Sequence, residues 1–278
     1  MILSVNRIQY IAELIHAKNY LEIGVNQGET FFNVNFQNKI GVDPAFQFVP
    51  EDHLQKGVAF FTMPSDDFFE HWKAGDKNHD IITMPDYVLP DTFDIIFIDG
   101  MHTFEQSLRD FENSLQFSHD DTIWLLDDTI PSDPYSAEPD CDLSLSAKKA
   151  AGIADESWHG DVYKTVLAIH DKYTDFSYLT LIGGNPQTIV WKSSAMAREP
   201  LFTSLHQIKT FTYFDMLRHA WLYNPATDAQ FREIVSTNTP YRRPNQSNAM
   251  KLLQYFRFNA TAPLHGHHVE FEVISKAQ

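Results

Sequence analysis

"FDIIFIDGMHTFEQSLRDFENSLQF", residues 93–117, decides the fold. Its first six residues are apolar apart from Asp94, too short for a helix and too continuous for a half-exposed strand. The run halts at Asp99-Gly100, and His102 follows three positions later. Phe104, Leu108, Phe111 and Leu115 then recur at helical spacing. A buried strand, a polar loop and an amphipathic helix are the unit from which parallel sheets are built.

The same unit repeats in both directions. Downstream, "DTIWLLDD" (121–128) is a further strand ending in two acids. Upstream, "YLEIG" (20–24), "KIGVD" (39–43) and "GVAFFTM" (57–63) read as three more strands. Helices are expected over Ile8, Ile11, Ala12 and Ile15, over "ETFFNVNFQN" (29–38) and over "SDDFFEHWK" (65–73), whose serine and early acids form an N-terminal capping pattern. The alternation predicts an α/β fold with a parallel sheet covered on both faces.

The loop "TIPSDPYSAEPDCD" (129–142), with three prolines and three aspartates, is expected to be irregular, mobile or ligand-covering. "DVYKTVLAIHDKY" (161–173) resumes as a helix, and "FSYLTLIG" and "QTIVWKS", joined by a "GGNP" turn, predict an antiparallel pair closing the sheet. The core domain is therefore expected to span 1–195. Residues 196–278 are expected to form a mostly helical extension, with "HHVEFEVIS" (267–275) as a strand. A lid, an oligomer surface or packing against the sheet are its open alternatives.

Bulk properties narrow the partners. A 278-residue chain with 43% hydrophobic residues can bury a sizeable core. A net charge of -16 disfavours a nucleic-acid backbone as partner. The single cysteine, Cys141, precludes an intrachain disulfide framework. The start lacks a basic leader followed by an apolar core, and no apolar run approaches the roughly 20 residues that span a bilayer. A cytoplasmic protein acting on a small molecule, away from membranes, is expected, as a monomer or homo-oligomer.

Chemistry gathers where strands end, because open parallel sheets bind ligands outside their carboxyl edge. Gly24 and Gly28 follow the first strand and let the backbone turn close to a ligand. Glu22 before them would repel a pyrophosphate but could hold a cationic amine. Asp43 ends the second strand, where an acid can accept hydrogen bonds from ribose hydroxyls or cap the turn before Pro44. Together these favour a nucleoside cofactor lacking a pyrophosphate. Met63 could pack on its base and Ser65 or Asp66 contact the base edge, although Met63 also suits the core. Asp99, Asp127 and Asp128 would converge if their strands are neighbours, and their repulsion calls for protonation, separation or a cation such as Mg²⁺, Mn²⁺ or Ca²⁺. His102 could take a proton from a hydroxyl or cap the helix beginning near Thr103. Glu105 reads as an early-turn acid. His159 and Asp161 could face the same cleft, and "HGHH" (265–268) reads as surface.

"LEIGVNQGET", "GVDP", "FDIIFIDGMHTFEQSLRDFENSL" and "IWLLDDT" resemble class I S-adenosylmethionine-dependent methyltransferases, over about residues 5–195. The likeness is to metal-dependent O-methyltransferases of the catechol type and to those that modify macrolide sugars. It implies a Rossmann-like seven-stranded sheet in the order 3-2-1-4-5-7-6 with the last strand antiparallel. It further implies that Glu22 and the Gly24–Gly28 turn surround the cofactor's methionine part and that Asp43 binds its ribose. By the same resemblance, Asp99, Asp127 and Asp128 would hold a divalent cation, Mg²⁺ in the first instance, and His102 would be the base that deprotonates a sugar or polyol hydroxyl. The catechol-type lysine has no counterpart in "IDGMHTFE", and Asn26 stands where the usual motif has its middle glycine. Rival readings are a nicotinamide-dependent oxidoreductase, which needs a G-x-G-x-x-G turn absent here, a methyltransferase-like domain kept for binding, and a hydroxylase, which would call for an all-β fold.

Overall fold

The structure is a computed structural model that describes residues 3–193 and 200–237. "HGHH" and "HHVEFEVIS" lie outside those residues, as does the expected domain boundary near 195.

The sheet grows around its apolar strands. β1 (Asn19–Ile23), β2 (Asn38–Val42), β3 (Val58–Phe61), β5 (Phe93–Ile98) and β6 (Ser118–Leu126) run parallel, and β4 (Ile81–Thr83), β7 (Phe176–Leu181), β8 (Gln187–Lys192) and β9 (Pro225–Ala226) complete it. The order is β4-β3-β2-β1-β5-β6-β8-β7-β9, nine strands. Without the short edge strands β4 and β9 it is the expected seven-stranded order, and β8 is antiparallel to both β6 and β7.

Helices cover both faces. α1 (Leu3–Ile15) packs Ile8, Ile11 and Ala12 with Tyr20, Phe60 and Phe97 on one face. α2 (Ser65–Lys73), α3 (Phe104–Ser114) and α5 (Tyr163–Lys172) bury Phe68, Phe111 and Val166 with Trp124 on the other. α4 (Cys141–Ala150), which the proline-rich composition before it hides, follows the 129–140 loop. That loop is anchored, not loose: Asp133 Oδ1 accepts from the backbone N–H groups of Tyr135 and Ser136 at 2.8 Å each, and Lys148 lies 3.3 Å from Asp133 Oδ2. α6 (Leu205–Lys209), α7 (Tyr213–Arg218) and α8 (Asp228–Thr237) finish the described chain.

Two local expectations fail. "ETFFNVNFQN" forms turns instead of a helix. The buried Lys39 ammonium donates to the carbonyls of Phe31 (2.7 Å) and Val34 (3.1 Å), removing acceptors on which a helix would depend. The weak helix propensity of its three asparagines offers little resistance. Ser65 does not cap α2: its hydroxyl donates to Asp110 at 2.6 Å, and Pro64 occupies the cap position.

Candidate active site

Four strand ends are brought to one level by ladder bonds that continue one residue past the strands. Gly24 N–H donates to Val42, Asp43 to Phe61, Asp99 to Ile23 and Asp127 to Ile98, at 2.9–3.1 Å. The acids of the carboxyl edge are thus fixed by backbone geometry before any side chain is considered.

At the β1 turn, Gly24 has φ +85°, and a Cβ there would lie 2.0 Å from the Asp99 carbonyl oxygen. Only glycine lets the two strand ends cross so closely. Asn26, standing where the usual motif has its middle glycine, takes φ +48°, the left-handed region that asparagine tolerates. Its N–H donates to Asp43 Oδ2 (2.8 Å), while Ala45 N–H donates to Oδ1 (2.7 Å). Asp43 is therefore held in one orientation with a lone pair spare on each oxygen. Glu22 points into the α1 side, fully buried, and accepts from the Tyr20 hydroxyl at 2.6 Å. Burial pushes its carboxyl well above the usual range.

Met63 is buried in the core beside Phe61 and Phe68. Ser65 is spent on Asp110, and Asp66 pairs with Arg109 at 3.2 Å. The structure does not bring these three together with the acids around His102.

The carboxylates meet around His102. Its Nε2 is 3.0 Å from Asp128 Oδ2 and 3.5 Å from Asp99 Oδ1. Its Nδ1 lies 2.8 Å from the Trp158 carbonyl oxygen. A carbonyl can only accept, so Nδ1 carries the proton and Nε2 is the face turned to the acids. Burial opposes charge on this imidazole, but Asp99 and Asp128 outweigh it and raise its pKa to about 9. Burial also raises Asp99 and Asp128, and Asp127's charge pushes Asp128 further. Asp127 is raised to about 7 by burial and by Asp99's charge. Its carboxylate accepts from Asn185 (2.8 Å) and Gln187 (3.0 Å), so its oxygens turn toward β8 while Asp99, His102 and Asp128 each offer one ligand atom within 4.8 Å of the others.

That donor set fits a divalent cation. Three desolvated carboxylates raise one another's pKa and are relieved by a proton or a metal. The cleft above them is lined by Gly100, Met101, Ser107 and Val162 as well as the acids and His102.

The segment 158–161 completes the wall, and the "WHGD" signal marks it in the sequence. Trp158 packs on His102 with ring centroids 4.8 Å apart. Gly160 has φ +58°, and a Cβ there would meet the His102 carbonyl oxygen at 1.6 Å. Asp161 accepts from Phe104 N–H at 2.7 Å. That bond caps α3 from outside, so the competing role of His102 as helix cap is not taken up. His159 lies 3.7 Å from Asp128 and is lowered to about 4 by burial and then by His102's charge, so it stays neutral.

Residues 21–129, which hold every cofactor, metal and base candidate, match the family model of a methyltransferase domain. An uncharacterized protein, R132 of Acanthamoeba polyphaga mimivirus, is 31% identical over 96 residues, 33% of this chain. The chain spans 42% of that relative's length. Solved structures with similarity to the chain include an O-methyltransferase from Bacillus cereus in complex with SAH (16% identity, TM-score 0.44, covering 68% of this chain and 80% of that one). Another is the SAH-bound Podospora anserina methyltransferase PaMTH1 (13%, TM-score 0.45, 69% and 79%).

Proposed function

We propose that this chain, whose residues 21–129 match the model of a methyltransferase domain, moves a methyl group from S-adenosylmethionine to a hydroxyl of a small molecule with the aid of a divalent cation. The observation that carries the reading is His102 Nε2 facing Asp99 and Asp128 beside the Gly24–Asp43 edge.

Asp43, oriented by Asn26 and Ala45, offers its free lone pairs to the cofactor's ribose. The Gly24–Gly28 turn takes the methionine part, and Glu22, buried behind it and bonded to the Tyr20 hydroxyl, backs that strand end. Met63, Ser65 and Asp66 are the base-side candidates after β3. Asp99 and Asp128, with Asp127 as the third carboxylate, would hold the cation. When bound, Mg²⁺ supplies a Lewis acid that positions a substrate hydroxyl and lowers its pKa. His102 Nε2 takes the hydroxyl proton, and the freed oxygen attacks the methyl in line, breaking its bond to the sulfonium sulfur, which leaves as neutral S-adenosylhomocysteine. Trp158 holds the imidazole in the tautomer this step requires. Positioning and ionisation of the nucleophile carry the rate.

His102 bears its proton when the carboxylates are unrelieved, because its pKa is then about 9. Offsetting their charge frees Nε2 to act as a base, so cation and base work as one unit. A sugar or polyol hydroxyl fits the absence of a lysine in 98–105 and the aromatic wall at Trp158.

His102→Ala is expected to lower turnover by about 10²–10⁴-fold while S-adenosylhomocysteine binding stays within a few-fold of the parent, read by radiolabelled methyl transfer and calorimetry. Loss of cofactor binding alone would count against the base role. A second reading makes His102 a metal ligand, because its Nε2 falls within the same group of ligand atoms as Asp99 and Asp128. It predicts that His102→Ala weakens Mn²⁺ binding at least tenfold, whereas the base reading leaves that affinity nearly unchanged.

A further inference from the structure

We propose that His71, Asp76 and His79 form a second metal site, for Zn²⁺ or a similar transition dication, that ties the end of α2 to edge strand β4. One ligand atom from each of the three lies within 4.8 Å of the others. His71 Nδ1 and His79 Nδ1 are 3.8 and 3.4 Å from the same oxygen, Asp76 Oδ2. Ligands about 2.0–2.1 Å from a tetrahedral ion lie about 3.4 Å apart, so the spacing suits the set once the two rings splay at their side-chain torsions to aim both nitrogens at the ion.

The turn that carries them is built by the backbone alone. Asp76 N–H donates to the His71 carbonyl at 2.9 Å, His79 N–H donates to the Asp76 carbonyl at 3.3 Å, and Gly75 takes φ +82°. The imidazoles stack with centroids 3.7 Å apart and planes 15° apart, which brings both rings to one side of the turn. Asp80 Oδ2 lies 3.4 Å from His79 Nε2. A carboxylate on that nitrogen fixes its proton there and leaves Nδ1 with the lone pair, the arrangement that orients metal-bound histidines. Phe61, Met63, Phe68 and Trp72 line the inner side, and Lys77, paired with Asp91, stands beside the ligands. Two imidazoles and one carboxylate select Zn²⁺, Cu²⁺ or Ni²⁺ over Mg²⁺. Water completes the shell on the open side. His79 stands two residues before Ile81, the first of β4, so the ion would fasten that edge strand to α2.

None of these ligands belongs to the proposed methyl-transfer site, so either reading can fail without the other. The test uses the full chain carrying Asp99→Asn and Asp128→Asn, which silences the other acid cluster. Calorimetry is expected to find one Zn²⁺ per chain with micromolar affinity and a rise in Tm on adding Zn²⁺. Adding His71→Gln and His79→Gln is expected to lower the affinity at least tenfold and remove the rise, and Asp80→Asn to weaken it less. Cu²⁺ bound to the chain with both histidines present should show two nitrogen couplings by electron paramagnetic resonance. Zn²⁺ bound equally well without the histidines, no binding with them, or fewer than two nitrogen couplings would each overturn the proposal.

Discussion

His102 is the residue on which the proposed chemistry turns, and its charge is set by neighbours that are themselves fixed by the sheet edge. Its pKa, raised from 6.5 to about 9 by Asp99 and Asp128 over the opposing effect of burial, gives a signed prediction. In the metal-free chain this group adds stability that is fully present below about 6.5 and is lost as pH rises through about 9. Saturating Mg²⁺ is expected to lower the imidazole pKa by at least one unit, followed by NMR of the ring. A pKa unmoved by Mg²⁺ would separate the histidine from the carboxylates. Asp99, His102 and Asp128 were legible in the sequence as strand-end acids and a loop histidine. The partners of Asp127 were not, because Asn185 and Gln187 stand 58 and 60 residues away across the sheet.

At the scale of elements, periodicity revealed the seven main strands and α1, α2, α3 and α5, because each has an apolar face that only one packing satisfies. It misjudged residues 29–38, where a buried lysine from the next strand captures the carbonyls. It also missed β4, three half-buried residues, and α4, whose apolar face is weak. The 158–161 segment shows how one element sets another. Gly160→Ala would force a Cβ into the His102 carbonyl, so turnover should fall at least tenfold and Tm should drop. Gly152→Ala is the control: φ is +72° but nothing lies within 4 Å of its Cβ. It should cost only the left-handed strain of about 1–2 kcal/mol and spare turnover. Equal losses in the two variants would show that Gly160 contributes backbone freedom alone.

Across the whole molecule, residues 200–237 pack onto the sheet. β9 pairs with β7, and Asp228 accepts from the Arg7 guanidinium at 3.1 Å. Arg7 is buried in α1 and also donates to the carbonyls of Gly183 and Asn185 and to Gln187, the same Gln187 that donates to Asp127. A chain of hydrogen bonds thus runs from the late helix α8 through α1 to the site. Arg7→Ala should destabilise the fold by about 1–3 kcal/mol, the usual effect of leaving buried acceptors without their donor, measured by urea unfolding. A change within 0.5 kcal/mol would mean that these contacts add little. Composition gave no sign of this clasp, since an arginine among polar helix residues reads as surface.

In the proposed function, the carboxyl edge built by Gly24, Asp43, Asp99 and Asp128 holds S-adenosylmethionine. Calorimetric titration of the full chain with S-adenosylmethionine, with NADH as the competing ligand, tests it most directly. One S-adenosylmethionine per chain, weakened at least tenfold by Asp43→Ala and with no heat from NADH, is the predicted result. No binding of S-adenosylmethionine by the folded chain, or binding indifferent to Asp43→Ala, would contradict it.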